Sequence, residues 1–297
     1  MSDPGLLGPA EIRELAARLG IQPTKRLGQN FVIDPNTVRR IVRLAGVQAG
    51  ETVVEVGPGL GSLTLGLLGA GAAVVAVEID GRLAAELPTT VAAAAGAESA
   101  ARLTVLGEDA LRVTELPDPV RLVANLPYNV SVPVLLHFLA TFPTIRSGVV
   151  MVQAEVGERI AAGPGSKAFG VPSLKAAWYG DFKVAARVGR SVFWPVPNVD
   201  SVLVAFERSE SVPGDEALRL RTFGLIDGAF QQRRKMLRSA LSARLGSSER
   251  VAELLEKAGL PATSRGEELR IADFVRLARI DAEAGGAPAA EPEQPVR

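Results

Sequence analysis

Short, nearly continuous apolar segments alternate with longer segments of helical periodicity along the central part of the chain. The strand-like segments are rich in valine and lie at residues 52–56, 73–78, 102–106, 120–124 and 147–153. The segments with helical periodicity lie between them, at residues 61–69, 81–95 and 131–141. Short apolar strands that alternate with helices are typical of a parallel sheet covered on both faces. The pattern therefore predicts an α/β fold with a Rossmann-like sheet.

The chain before this pattern indicates two further helices. Residues 9–19 are predicted as a short helix that begins at a proline. Residues 35–45 are predicted as a second helix, with Asp34 as its N-cap. Residues 22–34, which lie between the two, are expected to form an ordered loop.

The chain after residue 180 predicts an end to the sheet and then a second domain. Two strand-like segments, 181–188 and 199–206, have no long helix between them, so they are expected to extend the sheet as an antiparallel pair. After a linker, helices are predicted at residues 216–229, 233–245, 248–258 and 272–282. We therefore predict an α/β domain over residues 1–208, a small all-helical domain over 209–284, and a disordered tail over 285–297.

Composition excludes several classes of protein. The chain has no cysteine, which excludes disulfides, thiolate zinc sites and cysteine nucleophiles. The one histidine, His137, lies in an apolar segment, where a hydrogen-bonded helical residue is expected; a catalytic triad and a multi-histidine metal site are therefore excluded. No secretory signal is apparent, and no segment approaches the roughly 20 apolar residues that span a bilayer. We expect a soluble, cytoplasmic protein with no membrane contact and no metal.

Local charge, and not net charge, suggests a nucleic-acid partner. The chain carries 33 basic and 33 acidic residues. Residues 231–244 nevertheless contain five basic side chains and no acidic one, namely Arg233, Arg234, Lys235, Arg238 and Arg244. Such a segment can bind phosphates, and a merely solvated helix face is the alternative interpretation. Lys25 and Arg26 leave the same two interpretations open.

Polar residues and glycines follow successive predicted strands. Gly57, Gly59 and Gly61 come after the first strand, and Glu78 ends the second. A glycine turn lets the backbone approach a ligand, and a carboxylate about 20 residues later can accept ribose hydroxyls. NAD enzymes share both features; the G-x-G-x-G spacing and Glu55 within the strand favour S-adenosylmethionine. Asp109, after the third strand, can accept the adenine amine of that cofactor or act as a helix cap.

The next strand ends in Asn125-Leu126-Pro127-Tyr128. The Asn125 side chain and the Leu126 carbonyl can accept hydrogen bonds from an exocyclic amine, and Tyr128 offers a ring on which a base can stack. Ligands of open α/β sheets bind at the carboxyl ends of the strands, where these side chains and those of the cofactor residues all lie. This coincidence indicates methyl transfer to an adenine amino group.

Motifs from about Thr24 to Phe274 closely resemble those of the ribosomal RNA adenine dimethyltransferases, and most of all the small-subunit (16S) rRNA enzymes of that family. In order, they cover residues 27–32, 55–61, 125–128, 193–201 (Phe-Trp-Pro-Val-Pro-Asn-Val-Asp-Ser) and 230–235. Singly they vary in specificity, but in this order they are highly specific. Val32 stands where the family usually has leucine, and Trp194 where tyrosine or proline is frequent.

The resemblance implies roles for individual residues. The expected contacts of S-adenosylmethionine are Asn30, Val32, Gly57, Glu78, Asp109 and Asn125. Asn125, Leu126 and Tyr128 are expected to hold the target adenine, with Phe193 against its other face. Of the neighbouring pair Phe193 and Trp194, Trp194 is the better candidate for packing against the sheet.

The resemblance also implies a reaction and a partner. The expected activity is N6,N6-dimethylation of two adjacent adenosines in a 3′-terminal hairpin loop of 16S rRNA, within the immature small ribosomal subunit, by a monomeric enzyme. The helical domain and residues 231–244 are expected to hold RNA phosphates. Three alternatives remain: an adenine methyltransferase for large-subunit rRNA or DNA, a non-catalytic RNA-binding assembly factor, and an NAD oxidoreductase.

Overall fold

A computed structural model describes residues 5–21 and 29–285 of the chain. Contacts divide these residues into two compact units. Residues up to 158 and residues 182–208 form the first unit; residues 159–181 and those from 209 onward form the second. Most of the loop expected at 22–34 and of the tail expected at 285–297 lies outside the described residues.

The first unit contains a seven-stranded sheet. Its strands are β2 (Thr52–Val56), β3 (Ala73–Val77), β4 (Leu103–Leu106), β5 (Arg121–Asn125), β6 (Ser147–Gln153), β7 (Gly180–Val188) and β9 (Ser201–Arg208). Their order is β4-β3-β2-β5-β6-β9-β7. The strands from β4 to β6 are parallel, whereas β9 is antiparallel to β6, with Met151 opposite Leu203. The predicted α/β sheet, with its extension by the last two strands, is confirmed.

Helices cover this sheet and precede it. They are α1 (Pro9–Arg18), α2 (Pro35–Ala45), α3 (Ser62–Gly69), α4 (Gly81–Ala100), α5 (Ser131–Thr141) and α6 (Ala154–Ile160). Apolar side chains of α2, α3 and α4 pack on strand residues such as Val53, Val74 and Val123 in one buried cluster. His137 lies on α5, where its Nε2 bonds to the Val113 carbonyl oxygen at 2.8 Å, as expected for a structural histidine.

A small second sheet was not predicted. Strands β1 (Phe31–Val32) and β8 (Phe193–Trp194) pair antiparallel, with Phe31 opposite Trp194 and Val32 opposite Phe193. The rings of Phe31 and Trp194 stack with their centroids 6.2 Å apart. Two-residue strands are too short to show a periodicity of two, so the pattern of apolar residues could not reveal them.

The second unit is mainly helical. Its helices are α7 (Val171–Ala177), α8 (Glu216–Gln231), α9 (Leu237–Ala240), α10 (Ser242–Leu245), α11 (Ser248–Lys257) and α12 (Ile271–Glu283). Asp281 of α12 is buried and pairs with Arg221 at 2.5 Å and Arg250 at 3.0 Å, which joins α8, α11 and α12. None of the helices in the described part of the chain is long and apolar enough to cross a membrane.

Two features of this unit differ from the sequence-based expectation. Residues 159–181 were placed in the first domain, but Trp178 and Tyr179 pack edge-on against Phe223 of α8, with centroid distances of 6.0 and 6.4 Å. The single helix expected at 233–245 is wrong. Residues 232–235 form a turn, and the backbone N–H of Leu237 donates to the Ser264 carbonyl at 2.8 Å, so α9 begins separately.

Candidate active site

A cavity of about 230 Å³ lies at the carboxyl ends of β2, β3 and β5. Its lining comes from the glycine turn after β2, the residues after β3 and β4, and the segment after β5. All six residues expected to contact the cofactor line it: Asn30, Val32, Gly57, Glu78, Asp109 and Asn125. The structure therefore brings together residues that lie up to 95 positions apart in the sequence.

The glycine turn is shaped by close packing against Phe31. Gly59 has φ +58°, and a Cβ atom there would lie 2.8 Å from the Phe31 ring. Its backbone N–H donates to the Glu78 carboxylate at 3.1 Å. Only glycine fits this position, because both the left-handed backbone and the lack of space exclude a side chain.

The carboxylate of Glu78 is fixed where β3 ends. Besides the Gly59 N–H, it accepts the N–H of Asp80 at 3.0 Å. Burial raises the pKa of Glu78 above its usual value, and these backbone hydrogen bonds partly offset the rise. Glu78 thus presents an immobilised acceptor to the cavity before any ligand binds.

A second carboxyl group, Glu55, lies within β2 and is almost completely buried. The Thr64 hydroxyl of α3 donates to it at 2.6 Å. Burial raises the pKa of Glu55 to about 8, and the nearby Glu78 adds to the rise. Thr64 was not expected at this site, since nothing in its spacing indicates the contact.

Asp109 lines the cavity, and residues 110–112 after it form a turn and not a helix, so its expected role as a helix cap is wrong. Its Oδ1 accepts the N–H of Leu111 within this turn at 3.0 Å. Its expected contact with the adenine amine of the cofactor stays a prediction. The neighbouring Glu108 is exposed and lines the same cavity.

Asn125 is positioned by a hydrogen bond across the cavity. Its Nδ2 donates to the carbonyl oxygen of Asn30 at 2.9 Å, which fixes the orientation of the amide group. The Oδ1 atom is buried and has no hydrogen-bond partner among the described residues. A buried, unpaired acceptor is costly, so the site is suited to a ligand that carries an N–H group.

Leu126 and Tyr128, which follow Asn125 in the same motif, are held by contacts with neighbouring strands of the sheet. The N–H of Leu126 donates to the Met151 carbonyl of the adjacent strand at 3.1 Å. The Tyr128 hydroxyl lies 2.8 Å from the Ser201 hydroxyl, and burial raises the pKa of Tyr128. Both residues are thus fixed on the segment that leaves the end of β5.

The two aromatic residues of β8 have the reverse of the expected burial. Phe193 is completely buried in the core cluster of the sheet, whereas Trp194 is partly exposed. The prediction that Trp194 is the one that packs against the sheet is wrong. Trp194 pairs with Phe31 and packs against a separate apolar cluster, which includes Phe31 and Leu60. Phe193 is not among the residues that line the cavity, and its expected contact with the target base stays a prediction.

Two further lining residues were missed from the sequence. Ile79 directly follows Glu78, lines the cavity and is 59% exposed, which is unusual for a large apolar side chain. Phe31 lines the cavity beside the glycine turn. The position of Ile79 after the last residue of β3 is a signal that could have identified it.

Comparison with known proteins identifies the family. A model of the family described as ribosomal RNA adenine dimethylase matches residues 21–283. The chain belongs to this family. Family membership makes the protein an rRNA adenine dimethyltransferase, and methyltransferases of this fold generally use S-adenosylmethionine.

Relatives of known name agree with the family assignment. Ribosomal RNA small subunit methyltransferase A of Leifsonia xyli is 68% identical over 279 residues, which cover 94% of this chain and 99% of the relative. The protein of the same name from Thermobifida fusca is 60% identical over 279 residues, 93% of this chain and 96% of the relative.

Solved structures share the fold of this family member. A dimethyladenosine transferase from Plasmodium falciparum has a TM-score of 0.73 at 23% identity and covers 86% of this chain and 98% of its own. The 23S rRNA methyltransferase ErmE has a TM-score of 0.62 at 24% identity, with coverages of 84% and 98%.

Proposed function

We propose that the protein uses S-adenosylmethionine to dimethylate N6 of two adjacent adenosines in a 3′-terminal hairpin loop of 16S rRNA. The substrate is the immature small ribosomal subunit, and the enzyme acts as a monomer in the cytoplasm. The small-subunit substrate is supported by the names of the relatives that are 68% and 60% identical. Methyl transfer to an amine is supported most directly by the buried Oδ1 of Asn125, which has no hydrogen-bond partner among the described residues and belongs to a residue that lines the cavity.

The residues of the cavity fit the cofactor. Glu78 offers two carboxylate oxygens to the ribose hydroxyls, and Asp109 offers an acceptor to the adenine amine. Ile79 and Val134 supply apolar walls, and Gly57 lets the backbone approach the ligand. When bound, S-adenosylmethionine supplies a methyl group on a positively charged sulfur.

The target adenine is proposed to lie beside Asn125. The N6 lone pair of adenine is delocalised into the ring, so it is a poor nucleophile. Hydrogen bonds from the two N6 protons to the Asn125 Oδ1 and the Leu126 carbonyl favour a more pyramidal nitrogen. They also hold it in the direction of attack, and such positioning supplies much of the acceleration. The ring of Tyr128 is the proposed stacking surface, and the base has to be unpaired to reach it.

The helical unit is proposed to hold the RNA backbone. Arg234 and Lys235 are exposed in the turn between α8 and α9. Two basic side chains of residues 231–244 form ion pairs with acidic side chains of the same unit. Arg233 pairs with Glu267 at 2.9 Å, and Arg238 lies 3.9 Å from Glu249. The positive charge proposed to bind phosphates is therefore that of Arg234 and Lys235 in the turn, together with the exposed Arg244 of α10.

The proposed function is tested with labelled S-adenosylmethionine and three substrates: unmethylated small subunits, large-subunit rRNA and DNA. We expect label only in the small subunits, at two adjacent adenosines, each with two methyl groups when the nucleotides are mapped by mass spectrometry. Label in the large-subunit RNA or the DNA would assign another substrate. RNA binding without any label would make the protein an assembly factor.

A further inference from the structure

The charged side chains that line the cavity in the described part of the chain are all acidic. They are Glu55, Glu78, Glu108 and Asp109. Two of them, Glu55 and Glu78, are also buried; Glu55 lies in β2, and Glu78 directly follows β3, the parallel strand next to it. Buried carboxylates repel one another and lose their hydration, so at least one of the pair is expected to hold a proton when the cavity has no cation.

Glu55 is the member of the pair with the less favourable surroundings for a negative charge. Glu78 accepts two backbone N–H groups, whereas the Glu55 carboxyl accepts a hydrogen bond from the Thr64 hydroxyl. The other charged residues that line the cavity, Glu78 after β3 and Glu108 and Asp109 after β4, are acidic as well. Its pKa is about 8, so the carboxyl group is mainly protonated at neutral pH.

The proposed ligands of this cavity differ in charge. The methyl donor carries a positive sulfur, and the spent product has an uncharged sulfur in the same place. A cation near a buried carboxyl group favours the ionised form, and its removal favours the protonated form. We therefore expect the protonation state of Glu55 to differ between the donor complex and the product complex.

We propose that Glu55 exchanges a proton with solvent as the ligand of the cavity changes. It releases its proton to solvent when the cationic methyl donor binds, and it takes up a proton from solvent when the product, with its uncharged sulfur, occupies the cavity. The proposal rests on the proposed function, because it assumes that this cavity holds the donor. Two methyl groups on each of two adenosines need four donor molecules, so the product has to leave repeatedly. A cavity that binds the donor more tightly than the product favours this exchange.

The direct test counts protons by calorimetry. S-adenosylmethionine and S-adenosylhomocysteine are titrated into the full-length protein at about pH 7, in buffers that differ in ionisation enthalpy. The difference in protons released between the wild type and Glu55→Gln cancels the titration of the ligands themselves. We expect this difference to be close to one proton for the donor and much smaller for the product.

Two variants sharpen this test. Glu108→Gln removes an exposed acid from the same cavity, and we expect it to release as many protons as the wild type. Thr64→Val removes a hydrogen bond that favours the ionised form of Glu55. As the pH is raised, the affinity of the wild type for the donor should increase by up to about tenfold per pH unit and level off near pH 8. The affinity of Thr64→Val should level off at a higher pH, because the pKa of Glu55 is higher without this hydrogen bond.

The outcomes separate the two proposals. Equal proton release by the wild type and Glu55→Gln, with donor binding intact in both, would overturn the role of Glu55 and leave the proposed function standing. If neither ligand binds the wild type, the proposed cofactor site itself is wrong. Circular dichroism of Glu55→Gln verifies its fold, and the Thr64→Val profile tests the same role in a chain that keeps Glu55.

Discussion

At the scale of single residues, Gly59 is a position of the cavity where one added methyl group should have a measurable effect. A methyl group there would lie 2.8 Å from the Phe31 ring, on a backbone with φ +58°. We expect Gly59→Ala to lower the free energy of unfolding by about 1–3 kcal/mol and to weaken binding of S-adenosylhomocysteine. Gly69→Ala is the matched control, since no atom lies within 4 Å of its added Cβ. Equal behaviour of the two variants would contradict this account of the glycine turn.

Glu55 should also make the stability of the ligand-free protein depend on pH. Because its pKa rises from 4.5 to about 8 on folding, the folded state binds this proton more tightly than the unfolded state. The contribution of Glu55 to the free energy of unfolding is complete when the pH is below 4.5, the pKa in the unfolded state. This contribution is lost as the pH rises through about 8, the pKa in the folded state. Between about pH 5 and 8 we expect wild-type stability to fall relative to Glu55→Gln by a few kcal/mol in urea unfolding. Parallel pH profiles of the two proteins would contradict this.

The individual residues also show what the sequence could and could not predict about the site. Strand ends and the family resemblance placed Glu78, Asp109 and Asn125 on the cavity, because the carboxyl ends of parallel strands meet at one edge. The contact of Thr64 with Glu55 and the burial of Phe193 depend on packing between distant elements. Such contacts have no local signal in one sequence.

At the scale of elements, the start of α2 is a helix terminus predicted from sequence and confirmed by the structure. Asp34 accepts the N–H groups of Asn36 and Thr37 at 3.2 and 2.9 Å, and Pro35 occupies the first helical position. We expect Asp34→Ala to lower the free energy of unfolding by about 1 kcal/mol, because two N–H groups lose their acceptor. Asp34→Asn keeps a capping oxygen and should stay within a few tenths of a kcal/mol of the wild type. Equal losses in the two variants would show that the charge, and not the cap, is what matters.

Elements with a strong period were predicted well, and short ones were not. The predicted limits of β2, α2, α5 and β6 match the structure because each has an apolar face or run of adequate length and a clear start or end. The two-residue strands β1 and β8, and the separate start of α9, depend on partners far away in the sequence. One of those partners, Ser264, accepts the N–H that begins α9.

At the scale of the whole molecule, the net charge of zero conceals an uneven distribution of charge. The exposed Arg234 and Lys235 are proposed to release counterions when the second unit binds RNA. Replacing both with alanine should reduce the slope of log affinity against log salt by about 1.4–1.8, without a change in which adenosines are modified. Lys257→Ala, which removes one exposed cation from α11, is the control and should change the slope less. An unchanged slope in the double variant would place the RNA elsewhere.

The central claim is that the unpaired Oδ1 of Asn125 receives the amine that is methylated. The most direct measurement compares Asn125→Ala with the wild type in single-turnover methylation of small subunits and in RNA binding at equal salt, with Asn36→Ala as the control. We expect methyl transfer by Asn125→Ala to fall about 100-fold or more, while RNA affinity, which comes mainly from phosphate contacts, changes less than about twofold. Methyl transfer that persists, or an equal loss of methylation and RNA binding, would contradict it.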